Sequence, residues 1–250
     1  MSEDDSSDLV DYSQEDDSIE DLGTIKHAVR LVDVSRTFKS GRHEINALQH
    51  VNLEIKLGDF VVVSGRSGSG KTTLLNVIGA IDLPTTGRVF VMDVPINDYD
   101  ESFRSSFRLN NTGFVFQSYN LVSTLTALEN VMFPMQLYEK PTLELRDEAM
   151  KLLEGVGMGE RPDHLPWQLS SGEQQRVAIA RAMANDPPVI LADEPTANLD
   201  GDSGQMVREL LMGLNKMGKA VIVMTHDQGI ITQSGIRRFT MVDGELKENV

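Results

Sequence analysis

Phe60-Val61-Val62-Val63-Ser64-Gly65-Arg66-Ser67-Gly68-Ser69-Gly70-Lys71-Thr72-Thr73 is the stretch on which the fold reading turns. An apolar run, Phe60–Val63, reads as a buried strand. A helical pattern runs from Thr73 to Ile81. Between them, Gly65–Thr72 has the spacing GxxxxGK[ST]. Strand, glycine-rich loop and helix form the context in which that spacing means a nucleotide phosphate site. The glycines keep side chains away, so that backbone N–H groups can face phosphate oxygens. Lys71 is placed to reach the β- and γ-phosphates, and the Thr72 hydroxyl to bind Mg²⁺. The start of the helix adds a partial positive charge at the same point. A merely flexible Gly/Ser loop explains the glycines but not a Lys-Thr pair where a helix begins.

Four further groups belong with this loop. Asp193-Glu194 follows the apolar run Val189–Ala192. Carboxylates at the carboxyl end of a parallel strand face the ligand crevice. Asp193 can hold Mg²⁺, and Glu194 is free to orient or deprotonate a water. An acidic turn before Pro195 is the plainer reading, and the upstream phosphate loop weighs against it. Gln117 follows the short strand Gly113–Phe116 and is a candidate for Mg²⁺ or the attacking water. His226 follows the strand Ala220–Met224 and is a candidate for a bond to the γ-phosphate. Each of these two, taken alone, is an ordinary surface or packing residue. Ser170-Ser171-Gly172-Glu173 precedes a helical run, Gln174–Met183. Ser170 and Glu173 fit a helix capping box; the same N-terminus can face a phosphate.

Short strands lead into the phosphate loop: His27–Val34, Ile45–Leu48 and Val51–Ile55, then a turn at Leu57-Gly58-Asp59. Their closeness predicts antiparallel pairing. Val89–Met92 follows as a strand after the Asp82–Gly87 turn. The middle third reads as helical. Thr126-Ala127-Leu128-Glu129 is a capping-box pattern. Leu145, Ala149 and Leu152 recur at helical spacing after Pro141-Thr142, and Gly155 and Gly157 end that helix. Met206, Leu210, Leu214 and Met217 are expected to form one face of a later helix that Gly218 terminates. Phe239–Val242 and Asp243-Gly244 predict a final hairpin. Strands alternating with helices predict an α/β core with a mainly parallel sheet, an antiparallel β subdomain and an inserted α-helical subdomain spanning about 118–180.

Composition narrows the function classes. The chain has 250 residues, no cysteine and a net charge of -15. Thiolate metal sites and disulfides are therefore excluded. No apolar run approaches the length of a membrane span, and the acidic N-terminus is unlike a signal peptide. Ten acidic residues precede Lys26, the first basic one; the remainder carries 28 acids and 23 bases. Residues 1–24 are expected to be a disordered acidic tail, with an interaction or solubility role as the alternative. Residues 25–250 are expected to form one nucleotide-binding domain. The body is only mildly acidic, so no nucleic-acid partner is expected.

The motifs in this order resemble the ATP-binding cassette (ABC) ATPases over about residues 27–248. Gly65–Thr72 is similar to the Walker A loop, Val189–Glu194 to Walker B, and Gln117 stands at the Q-loop position. Leu169–Gln174 resembles the ABC signature, Asn198-Leu199-Asp200 the D-loop and Thr225-His226-Asp227 the H-loop. Phe38 stands where that family carries a base-stacking aromatic. The resemblance implies ATP and Mg²⁺ as ligands, with Gly65, Arg66, Ser67, Gly68, Ser69, Gly70, Lys71, Thr72 and Thr73 around the phosphates. It implies Mg²⁺ on Thr72, Gln117 and Asp193, and Glu194, His226 and Gln117 in hydrolysis. It also implies a head-to-tail homodimer, in which Ser170, Ser171, Gly172 and Glu173 act on the partner protomer's ATP. Several stretches, among them Gly113–Leu121 and Glu194–Asp200, resemble the macrolide-export, lipoprotein-release and cell-division group. That group implies a transmembrane permease as partner and a place on the inner face of the cell membrane. Phe133, Met135, Leu137 and Tyr138 are expected near its docking site, with the core of the helical insertion as the alternative. The alternatives are a cell-division-type mechanical ATPase, a soluble non-transport ABC ATPase, and a module that binds ATP without hydrolysis. Two departures stand out. Ser171 replaces a glycine of the signature, and would be strained if that position needs positive φ. Arg66 adds a charge to the phosphate loop.

Overall fold

The computed structural model describes residues 25–41, 43–137 and 142–249. The expected acidic tail, Tyr138 and Pro141 lie outside the described residues.

Two long strands, β1 (Val29–Ser40) and β2 (His43–Ile55), pair antiparallel and precede β3 (Phe60–Ser64). Helix α1 (Lys71–Ile78) follows the glycine-rich loop, then β4 (Thr86–Val91) and the short β5 (Val94–Pro95). Helix α2 (Glu101–Asn111) leads into β6 (Thr112–Val115). Three helices come next: α3 (Ala127–Met135), α4 (Thr142–Gly155) and α5 (Ser171–Ala182). The chain finishes with β7 (Val189–Asp193), α6 (Gly201–Lys216), β8 (Ala220–Met224), α7 (Gln228–Ile231) and the hairpin β9 (Arg237–Val242) and β10 (Glu245–Asn249).

The strands form two sheets, ordered β2-β1-β4-β5 and β10-β9-β3-β8-β7-β6. The first is antiparallel. In the second, β9, β3, β8, β7 and β6 run parallel, and β10 closes one edge antiparallel. Period-two alternation divides the parallel strands between two cores. Phe60, Val62, Ile190, Ala192, Val221 and Val223 face a core built with α3 to α6. Val61, Val63, Leu191, Ile222 and Met224 face α1 and the antiparallel sheet. Burial on both faces explains why β3, β7 and β8 read as continuous apolar runs rather than as alternation.

Several expectations are corrected. The two strands read at Ile45–Leu48 and Val51–Ile55 are one strand, β2. Its pairing with β1 is irregular, and His50 within it has φ 50. Helix α1 begins at Lys71 and ends at Ile78, short of Ile81. On α6 the fully buried stripe is Val207 and Leu211, beside the face that carries Met206, Leu210, Leu214 and Met217. Leu210 and Leu214 are half-buried, and Met206 and Met217 are exposed. Both stripes satisfy the helical period, and the sequence pattern alone does not say which meets the sheet. Helix α2 was not anticipated; its only buried side chain is Phe107.

Candidate nucleotide site

Strand β3 delivers the loop to the middle of the parallel sheet. Ser64 at its end donates through Oγ to the Phe239 carbonyl at 3.2 Å. Gly70 caps α1 with φ 109, and a Cβ there would overlap the carbonyl oxygen of Ala47. Only glycine combines that conformation with that approach. No side chain caps α1. Its first-turn N–H groups are therefore open to an anion. The buried Lys71 curls over the loop, donating through Nζ to the carbonyls of Gly65 at 2.7 Å and Arg66 at 3.0 Å. Arg66 itself is exposed at the edge of the cleft. The β9–β10 turn wedges the loop from behind. Gly244 donates to the Ser69 carbonyl at 3.0 Å and accepts from the Gln49 amide of β2 at 2.8 Å.

Opposite the loop stand the carboxylates. Asp193, the last residue of β7, accepts from the Thr72 hydroxyl at 2.8 Å. Burial, and then the charge of neighbouring Glu194, push the Asp193 carboxyl above the usual carboxylate range; Thr72 and Lys71 pull against them. A hydroxyl and one carboxylate so placed fit Mg²⁺, which keeps waters and takes its remaining ligands from phosphate oxygens. No cluster of three or more His, Cys, Asp or Glu suited to an all-protein metal cage occurs among the described residues. Glu194 sits at φ 46, in the left-handed region, with its amide bonded to the Met224 carbonyl at 2.8 Å. A non-glycine residue there stores strain, and such residues concentrate at functional sites. Its carboxylate meets Nδ1 of His226 at 3.1 Å. Gln117, exposed beyond β6, faces the same cleft, whose volume is about 960 Å³. The cleft thus gathers Gly65, Arg66, Ser67, Gly68, Gly70, Lys71, Thr72, Thr73, Gln117, Asp193, Glu194 and His226.

Buried groups fix the segment that follows Gln117. Tyr119 and Asn120 have positive φ, and their carbonyls accept from the Arg181 guanidinium. Fully buried Asn130 accepts from the Val122 amide at 2.8 Å. Its Nδ2 donates to the carbonyls of Val122, Leu125 and Thr126 at 3.1, 3.0 and 2.9 Å.

The signature-like residues lie outside the cleft lining. Ser170 caps α5: its Oγ accepts from the Glu173 amide at 3.3 Å, and the Glu173 carboxylate accepts from the Ser170 amide at 2.8 Å. Burial opposes the Glu173 charge, but the Ser170 bonds, with Arg161 and Arg176, outweigh it and hold that carboxyl below its ordinary range. Ser171 is the first residue of α5 and has no positive φ, so its replacement of glycine brings no strain. At Gly172 a Cβ would run into the side chain of Ser203 near the start of α6. Phe38 is likewise outside the cleft lining. It lies beneath the Arg36 guanidinium, 4.5 Å from ring centroid to Cζ, and its cross-strand neighbour Ile45 lines the cleft instead. Sequence reasoning missed Ile45, Asn46 and Ala47 of β2, and Thr240, Asp243 and Gly244 of the last hairpin. Of these, only the Asp243-Gly244 turn carries a local signal, and it speaks to the turn, not to the cleft.

Comparison with known proteins gives the family and the fold. A family model described as ABC transporter matches residues 48–197. An uncharacterized ABC transporter ATP-binding protein of Methanocaldococcus jannaschii, MJ0796, is 46% identical over 224 residues, covering 88% of this chain and 95% of that protein. A macrolide export ATP-binding/permease protein of Brucella melitensis is 42% identical over 218 residues, covering 87% of this chain and 34% of that longer protein. Among solved structures, a dimeric post-hydrolysis state of the ATP-binding cassette MJ0796 bound to ADP and Pi superposes with a TM-score of 0.83. Its identity is 45%, and the match covers 88% of this chain and 97% of that one.

Proposed function

The chain belongs to the ABC transporter ATP-binding family, and from that premise we propose that it is the ATPase subunit of an exporter or lipoprotein-release type system, driving a separate transmembrane permease. The chemistry is ATP + H₂O to ADP + phosphate. One observation carries the residue assignment: the Thr72–Asp193 pair and the Glu194–His226 pair stand in one cleft with Lys71, at 2.8 Å and 3.1 Å respectively.

In this reading the open N–H groups of α1 and the Lys71 ammonium bind the phosphates. Thr72 and Asp193, with Gln117, hold Mg²⁺, which when bound neutralises charge on the phosphate oxygens. Glu194 orients the attacking water and takes its proton, and His226 bonds the γ-phosphate. Positioning and electrostatics supply most of the rate in such a transfer. Phe38 takes the adenine from its exposed place on β1. Ser170, Ser171, Gly172 and Glu173 reach the ATP of the partner protomer in a head-to-tail dimer. Their position outside the chain's own cleft supports that assignment. Residues 25–250 act as one ATPase unit, with about 118–180 as its helical part. Phe133 and Leu137 are exposed, and with Phe114 and Phe116 they offer an apolar surface for the permease; Met135 is core. That partner would hold the subunit at the inner membrane face. Among the described residues, no helix is long and apolar enough to cross a membrane.

The test is the Glu194→Gln variant, loaded with ATP in native cells and recovered from solubilised membranes. It should bind ATP, hydrolyse it at least about a hundredfold more slowly, accumulate as a dimer and bring a permease with it. Parental turnover would remove Glu194 from the mechanism, and recovery of soluble partners alone would remove the permease.

A further inference from the structure

We propose that Arg208 is a positioning residue for hydrolysis, clamping the loop that carries His226 to the loop that carries Glu194 and both to helix α6. Arg208 stands two turns into α6. Its guanidinium donates to Oδ2 of Asp227 at 3.0 Å. That same oxygen accepts from the Thr196 hydroxyl at 2.8 Å, and Oδ1 accepts from the Gly229 amide at 2.8 Å. Asp227 directly follows His226, and Thr196 lies two residues past Glu194. The Thr196–Asp227 bond therefore ties the loop after β7 to the loop after β8, beside the Glu194–His226 contact. The arginine anchors this tie to α6. Its other nitrogens are held by Gln205, through Nη2 at 2.9 Å and Nε at 3.3 Å.

The side chain passes close to Gly229, where a Cβ would stand 3.0 Å from Nε and 3.1 Å from Cδ of Arg208. Both members of the ion pair are largely shielded, with side-chain exposures of 22% and 21%. Burial opposes the charge on Asp227, but the Thr196, Gly229 and Arg208 bonds outweigh it and hold the carboxyl below its ordinary range. A charge-assisted bond in such a site is about twice as strong as a neutral one. Without it, the two loops keep the Thr196–Asp227 and Glu194–His226 contacts but lose their anchor on α6.

The clamp rests on the reading of Glu194 and His226 given above. The test is steady-state hydrolysis of Mg-ATP by the full chain, with melting followed in parallel. Arg208→Met should lower kcat between about ten- and a hundredfold, with KM for ATP within about twofold of the parent, because ångström-scale misplacement of reacting groups has that effect. Arg208→Lys should keep most of kcat. Asp227→Asn, which removes the charge from the other member of the pair, should fall as Arg208→Met does, and it carries the test if Arg208→Met does not fold. Parental kcat in folded Arg208→Met or Asp227→Asn, with turnover lost in Glu194→Gln, overturns the clamp alone. Parental turnover in Glu194→Gln overturns the underlying reading. A loss shared equally by the Met and Lys variants, with KM rising in step, also overturns the clamp.

Discussion

Asn130 offers a stringent test of how the Gln117 segment is held. Its side chain makes four hydrogen bonds from a fully buried position. Asn130→Ala removes all four. Two of the three carbonyls keep another partner, since Val122 O accepts from Leu125 and Thr126 O from the Asn130 amide. The Val122 amide and the Leu125 carbonyl lose the bonds described here. At about 1 kcal/mol net per bond, with that discount, the loss is about 3 kcal/mol. For a chain of this size, 1 kcal/mol moves the melting midpoint by about 2–4 °C, so a drop of about 6–12 °C is expected. Asn130→Asp should be worse than Ala. It keeps the acceptor for the Val122 amide but turns an anionic oxygen toward three carbonyls in a dry site. Circular dichroism melts at pH 7 give both numbers, and hydrogen exchange should rise first at residues 118–126. A drop under about 2 °C for Ala, or a milder effect for Asp than for Ala, would refute the reasoning.

Three further outcomes are expected. Lys71→Ala should abolish ATP binding in equilibrium titration; it also removes the two bonds to the carbonyls of Gly65 and Arg66, so at about 1 kcal/mol per bond the melting midpoint should fall by about 4–8 °C. Gly70→Ala should weaken ATP binding at least about tenfold, since holding a side chain at φ 109 stores about 1–3 kcal/mol and its Cβ meets the Ala47 carbonyl; unchanged affinity would mean that the loop has room to shift. The Asp227 carboxyl is depressed on folding, so its stabilisation is present above the unfolded value and is lost as pH falls through the folded one. The gap in melting temperature between the parent and Asp227→Asn should therefore be constant from about pH 6 to 8 and close below about pH 4.

The parts of this molecule that show in the sequence are those whose chemistry is local. The phosphate loop, the acidic pair after β7, the cap at Ser170 and the hairpin at Asp243-Gly244 each need particular residue types within a few positions. The parts that do not show are set by partners distant along the chain. Nothing near Ile45 or Ala47 says that they flank the cleft, because that follows from where β2 passes the loop. The helical period of α6 permits two stripes, and only the sheet selects Val207 and Leu211. Helix α2 buries one side chain, so no apolar stripe marks it; its local signal is the N-cap Asp100, which accepts from the Phe103 amide at 2.9 Å. Arg208 gave no signal, since a basic residue on a helix is ordinary until Asp227 is known to lie against it.

The wedge that Gly244 drives between Gln49 and the phosphate loop has a consequence for the order of events during synthesis. Strand β3 lies between β8 and β9, both made long after it, and the turn at Gly244 follows them. A nascent chain has its complete glycine-rich loop about 170 residues before the segments that support it. At about 5–20 residues per second that interval is about 10–35 s. Over that time the loop has neither its flanking strands nor its rear support. Competence to grip nucleotide is therefore acquired well after the motif that carries it has been made.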